Sequence, residues 1–568
     1  MVKQLISRLR SLWNLQTLIY LVFLFLFLIN TLHEQYPDEF DNILGGWYML
    51  HGRLIYTGFF THHNPVAYFI AAAIELFSGR NFVIFRFLYS VVLFGYLAWT
   101  YAYFRSRFGK QLMTFYLVFI ALIGLSATYF WGHMLLADNI AAYCLVPVFG
   151  LLTLLTLEKK SLERKDIAFI SILTALATLS ALTYVYLALT IYGYTLYYSY
   201  RTSRYTHLFS LLLSFALPYL VFMLYLLLTG SLFAWFTQAI IFNGKYYAYN
   251  YPGIGQGQFV NPLKYLVIIL YNFSTNFYFL LKQVKDFNFN YPVNITLAIA
   301  DIALLSYLVV KKRFTLAGVL FLVLAFANVR SNPLTSGERD YQAAVYIVTS
   351  LFALSFSLPA IYRLLKDELE KPQRMLMSIV FFFLVLYGFF GITFFIHYFN
   401  DRAYLKFMNL EPKISNHHVG ISSIINAAAT KNDYMWIGPF AFEELLYTNG
   451  KLPSRYHILL PEFAEDTTIK DEMMHDFEMH KPIVIYFDEG VGIRGHLPYI
   501  YAPFFINFLH KNYMTLYGYH DGKIIYRSVD PITIDKDVEA KFFILKSQKD
   551  IVIKRLLEHN IIKKGTIK

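Results

Sequence analysis

Cysteine and charge are both scarce in this chain. One cysteine, Cys144, stands inside an apolar run, so neither an intramolecular disulfide nor a cysteine-built metal site is available. Charged residues make up 15% of the 568 positions, against about 25% in an ordinary soluble domain. No internal repeat and no low-complexity linker interrupts the sequence, and transporters often show repeats. What the chain has in excess is apolar and aromatic side chains: 57% hydrophobic and 19% aromatic, with 55 Phe and 47 Tyr. Aromatic rings suit helices in lipid and the headgroup belt. The net charge of +12 is spread as short basic clusters between apolar runs. That pattern fits membrane topology, and no nucleic-acid partner is expected.

A membrane span needs roughly 20 mostly apolar residues. The first such run, 18–32, follows Lys3, Arg8 and Arg10. The segment after it, His33-Glu34-Gln35-Tyr36-Pro37, offers no small-residue cleavage site, so an uncleaved first helix with a cytoplasmic N-terminus is expected. Further runs lie at 81–104, 111–131, 138–157, 166–182, 184–200, 206–229, 291–310, 314–329, 341–362 and 375–398. The connections that carry Arg105, Arg107 and Lys110, then Lys159 to Lys165, Arg201 and Arg204, Lys311 to Arg313, and Arg363 to Arg374 fall on one side. This is the positive-inside bias. Counting 263–285 as a span would put Lys311-Lys312-Arg313 outside, so that stretch reads as an interfacial or re-entrant helix.

The expected fold is mainly α: a polytopic membrane protein of about eleven transmembrane helices, followed by a C-terminal extracytoplasmic α/β domain. Residues 1–400 form the membrane part, with outer loops at 33–80 and 230–290, and residues 401–568 form the outer domain. In the latter, 434–437 and 483–487 read as buried strands, and 443–447 and 504–511 as helices. Asp521-Gly522 between two aromatic stretches is a hairpin signal.

Residues able to do chemistry gather in the first outer loop. Asp38, Glu39 and Asp41 follow the first span closely, and carboxylates at a membrane boundary are costly unless hydrated, paired or functional. Apolar surface nearby would suit one of them to accept a proton; a solvated loop accounts for them equally well. An amphipathic helix is expected over 42–50, and Thr61-His62-His63-Asn64-Pro65 opens a second apolar stretch. The two histidines suit phosphate or metal, or a plain surface. Asp138, where one span gives way to the next, reads as a helix N-cap or as a second acidic group facing the loop. Arg330 and Arg339 flank the outer turn 331–338, with Tyr341 opening the next helix. Outer arginines run against the charge bias and suit phosphate recognition, or pairing with Glu338, Asp340 or lipid headgroups. Gly253-Ile254-Gly255-Gln256-Gly257 lacks the strand and helix of a phosphate loop. Glu472, His475 and His480 read as a solvated helix face.

This arrangement resembles the GT-C glycosyltransferases, in particular the protein O-mannosyltransferase (glycosyltransferase family 39) and lipid A aminoarabinose transferase branch. The matching positions are Asp38-Glu39, His63-Asn64-Pro65 and Asp138, all within the first 150 residues, while the topology extends over about 15–400. The resemblance implies transfer of a monosaccharide from a polyprenyl-phosphate donor at the outer membrane face, to a lipid, glycan or protein hydroxyl, with inversion. It makes Asp38 the general base, with Glu39 in support and Asp138 a further acid. His62 and His63 would stand near the donor phosphate, and Arg330, Arg339 and Tyr341 would hold it. Cationic neighbours stabilise a phosphate as it leaves. The chain departs from the pattern at Asn64, in place of the first proline, and at His62, where the aminoarabinose branch has a carboxylate. No cofactor is required by the residues, and a divalent cation is left open. The rival readings are a transporter or flippase, which would place polar groups in mid-membrane, an oligosaccharide ligase or polymerase, and a non-catalytic scaffold.

Overall fold

This computed structural model of the protein describes residues 15–32, 35–109, 114–203, 208–247, 266–267, 269–271, 273–274, 292–327, 341–368, 421–493, 495–516, 519–520, 523–524, 526–528 and 541–564. Of these, 74% are helical. The N-terminal helices are α1 (Leu15–Ile29), α2 (Pro37–Leu50), α3 (Val66–Ser78), α4 (Phe82–Phe108), α5 (Thr114–Ser126), α6 (Ala137–Leu157), α7 (Arg164–Thr178), α8 (Val185–Ser203) and α9 (Leu208–Leu228). A short α10 (Leu232–Trp235) runs on as a π-helical segment, Phe236–Tyr247. Next come α11 (Pro292–Val310), α12 (Phe314–Ala327) and α13 (Ala344–Glu368). Local chemistry sets several of these limits. Pro37 occupies the first turn of α2, where its missing N–H costs nothing. Asn81 caps α4 by accepting from the Ile84 amide at 3.0 Å. Glu163 and Asp166 close a capping box on α7.

Three helices, α4, α6 and α9, are long and apolar enough to cross a membrane, and shorter apolar helices accompany them. Their surroundings differ. The apolar window of α6 is 89% buried, whereas that of α9 is only 22% buried. Helix α6 is therefore the centre of the bundle, packed against α7 and α13. Helix α9 is peripheral and presents Phe209, Leu217, Leu220, Val221 and Leu228 outward.

Helices α2 and α3 pack side by side over the bundle. Gly46 makes that approach possible: a Cβ there would lie 2.5 Å from Glu75 Oε2 and 2.6 Å from the Ala72 amide nitrogen. The expected run 375–398 lies outside the described residues, as does most of 263–285.

The C-terminal part is α/β. Strand β1 (Met435–Gly438) pairs in parallel with β2 (Val484–Phe487). The helix Thr467–Met479 lies between them in sequence. Strand β4 (Phe542–Leu545) pairs antiparallel with both β2 and β3 (Tyr513–Thr515), giving the order β1-β2-β4-β3. The helices Phe442–Leu446 and Pro503–Asn512 fall where the sequence predicts them. Strands Tyr519–His520 and Lys523–Ile524 pair antiparallel on either side of Asp521-Gly522, which bears out the hairpin signal.

This domain is fastened to the first loop. Arg80 donates to the carbonyls of Leu446 (3.1 Å) and Thr448 (3.0 Å) and to Asn449 Oδ1 (3.1 Å). Arg455 donates to the Tyr56 carbonyl at 3.1 Å, and its own carbonyl accepts from the Phe60 amide at 2.9 Å. The Phe60 ring lies against Phe463 and Tyr456, with centroids 5.0 and 5.4 Å away.

Candidate active site

A cavity of about 270 Å³ lies between the first loop and the C-terminal domain. The loop side is made by Tyr36, Asp38 and Asp41 at the start of α2, by Phe60, Thr61, His62 and His63 ahead of α3, and by Tyr247 and Tyr341. The domain side is made by Phe440, Phe442, His457, Ile458, Leu460 and residues 491–493.

Asp38 and Asp41 share this wall because they are three residues apart on one helix, hence on one face. Asp38 lies in the first turn, where a helix N-terminus favours negative charge. Asp38 accepts from the Tyr341 hydroxyl at 2.8 Å. Around that contact Tyr36, Trp131 and Tyr341 form an aromatic cluster: Tyr36 stands 4.8 Å from Trp131 and 5.5 Å from Tyr341, centroid to centroid. Trp131 holds a left-handed backbone, φ 53°, which costs a bulky residue free energy. Its ring is stacked on Tyr341 with 19° between planes.

Asp41 carries two contacts. The Tyr68 hydroxyl donates to Oδ2 at 2.7 Å, and His457 Nε2 lies 3.3 Å from Oδ1. On the same side of the cavity, His62 and His63 have rings 4.0 Å apart, and Tyr247 lies 4.4 Å from His62. The loop holding them is tied from several directions. Gln238 spans Thr61 N and the Tyr56 carbonyl, and Asn243 donates to the His62 carbonyl. Asn64 donates to the Thr178 carbonyl and accepts from Trp235 Nε1, each at 3.3 Å. A proline at this position would lose both bonds, which gives the asparagine a structural reason.

Glu39 is separated from Asp38. It is fully buried, does not line the cavity, and pairs with the equally buried Arg86 of α4, whose Nε lies 3.0 Å from Oε1. Burial raises the Glu39 carboxyl above the ordinary glutamate range, against the lowering effect of Arg86. Asp138 is also fully buried and away from the cavity lining. It sits inside the first turn of α6, not at the cap: Leu136 is the N-cap, and the Tyr184 hydroxyl donates to Asp138 at 2.7 Å. The N-cap expectation is thus corrected, because α6 starts one residue before the aspartate. Arg330 and Arg339 lie outside the described residues.

Two features were not singled out from sequence. Asp41 was visible only as the third acid of its cluster, and His457, which is 416 positions away, gave no local signal. Among the described residues no group of three or more His, Cys, Asp or Glu side chains is arranged to hold a metal ion. Glu472 is bound to Arg455 at 2.6 Å and Asp476 to Ser454 at 2.6 Å, so the acidic helix face near His475 serves domain structure. No protein-family model, curated protein or solved structure matches this chain.

Proposed function

We propose that this protein is an integral membrane glycosyltransferase of GT-C type. It moves a monosaccharide from a polyprenyl-phosphate donor to an acceptor hydroxyl at the outer membrane face. The observation that carries the reading is the placement of Asp38. A carboxylate lines a cavity next to apolar helices, is aimed by the Tyr341 hydroxyl, and shares the cavity lining with two histidines. Asp38 takes the proton of the acceptor hydroxyl, and the oxygen attacks the anomeric carbon. The bond from that carbon to the phosphate oxygen breaks with its electron pair on the phosphate. One displacement of this kind inverts the centre. His62 and His63 offer hydrogen bonds to the donor; Arg330 and Arg339 retain their proposed phosphate role. The outward apolar face of α9, which water would penalise, supports membrane embedding, and the basic clusters support about eleven spans with the C-terminal domain outside.

Asp38→Asn is expected to abolish sugar transfer while the protein still inserts and folds. Full activity in that variant refutes the base assignment. A tag after Lys568 is expected to be open to protease in intact spheroplasts, and its protection would refute the orientation. A second reading, a transporter or flippase of lipid-linked substrates, is favoured by Asp301. This buried carboxylate sits midway along α11 and accepts from the Ser350 hydroxyl at 2.9 Å. On that reading Asp301→Asn, and not Asp38→Asn, stops activity.

A further inference from the structure

The geometry points to His457 as the phosphate contact of the cavity, supplied by the C-terminal domain and held by Asp41. The inference rests on the glycosyltransferase reading for its ligand, the phosphate of a prenyl-phosphate sugar and of the prenyl phosphate monoester that it leaves, but on the pair itself for its chemistry.

No lysine or arginine lines the cavity among the described residues, so the positive charge that these residues can offer comes from the three lining histidines. Of these, His457 has a carboxylate at one ring nitrogen, with Asp41 Oδ1 3.3 Å from Nε2. Asp41 already accepts from the Tyr68 hydroxyl at 2.7 Å, and Tyr68 is in turn 2.7 Å from the Thr61 hydroxyl. An ionised carboxylate only accepts, so His457 Nε2 is the donor. The ring is 2% exposed and boxed by Tyr48, Phe59 and Phe442, with centroids 5.8, 6.2 and 5.6 Å away. Its other nitrogen, Nδ1, is buried and has no hydrogen-bond partner.

A buried ring nitrogen without a partner is costly. A phosphate oxygen entering the cavity removes that cost. With Nδ1 protonated, His457 donates to Asp41 on one side and to the phosphate on the other, and Asp41 balances the imidazolium. Charge-assisted bonds of this kind are about twice as strong as neutral ones. The C-terminal domain is then a part of the donor site and not an accessory to it.

The test uses the full-length protein in detergent, titrated calorimetrically with farnesyl phosphate and with farnesol. Wild type is expected to bind the phosphate and to prefer it over the alcohol. His457→Gln, which keeps a polar group near Nε2 but none near Nδ1, is expected to weaken phosphate binding by about ten-fold or more. His457→Asn, whose amide nitrogen falls near Nδ1, recovers part of the loss. His480→Gln, a substitution on the outer face of the domain, leaves binding within two-fold. Thermal unfolding of each variant checks that the fold survives. Unchanged phosphate affinity in a folded His457→Gln variant overturns the inference and leaves the glycosyltransferase reading standing. Binding that depends on His457 without any sugar transfer upholds the inference and sinks that reading. Failure of wild type to prefer the phosphate overturns both. A loss of turnover in His457→Gln and His457→Asn alike, with phosphate affinity intact, would make His457 a proton acceptor for the acceptor hydroxyl and overturns the phosphate assignment.

Discussion

Glu75 carries a pH dependence that the structure makes quantitative. It lies on α3 facing Gly46, is 2% exposed, and neither carboxyl oxygen has a hydrogen-bond partner. Burial pushes its carboxyl up to about 9 from an unperturbed 4.5. The folded protein therefore keeps a proton there that the unfolded chain releases above about pH 4.5. Stability from this group is fully present below that pH and declines as pH rises toward 9. Each pH unit in that window costs about 1.4 kcal/mol, so from pH 5 to pH 8 the wild type loses about 4 kcal/mol from Glu75 alone. Glu75→Gln has no such proton. Its unpaired amide adds a penalty that does not vary with pH, and that penalty cancels in the slope. The stability difference, variant minus wild type, is expected to climb by about 4 kcal/mol between pH 5 and pH 8. Chemical denaturation in detergent at four pH values, followed by tryptophan fluorescence, measures it. Parallel stability curves for the two proteins would refute the burial argument.

Two further substitutions probe the site. Tyr341→Phe removes the hydroxyl that aims Asp38, and kcat for sugar transfer is expected to fall about ten- to a hundred-fold with insertion unchanged, measured with a radiolabelled lipid-linked donor. Wild-type turnover would show that Asp38 needs no such aim. Gly46→Ala pushes a methyl group against the α3 backbone and is expected to cost about 1–3 kcal/mol of stability. The shift it forces on α2 moves Asp38 and Asp41 together, so transfer drops as well; a variant as stable and active as wild type would show that the helices part freely.

The helical frame was largely legible because a long apolar run has few alternatives. The run 81–104 became α4, and 138–157 became α6 with one residue added. Asp38 stood out because acids rarely border such runs. Arg86 did not, since it lies inside one, and its partner Glu39 is 47 positions earlier. Only folding reveals that the second acid of the Asp38-Glu39 pair is neutralised in the bundle while the first opens on the cavity. Asp138 likewise looked like a cap until α6 placed Tyr184 against it. His457 was beyond sequence reasoning for the opposite cause. Nothing near it is unusual, and its meaning comes from a domain docking onto a loop some 400 positions away.

Arg80 grips the C-terminal domain chiefly by main-chain oxygens, those of Leu446 and Thr448. A grip on carbonyls is indifferent to which side chains stand at those two places. The domain's edge there is free to drift over generations while the arginine is not, so homologues aligned on this joint should vary on one side of it and stay fixed on the other.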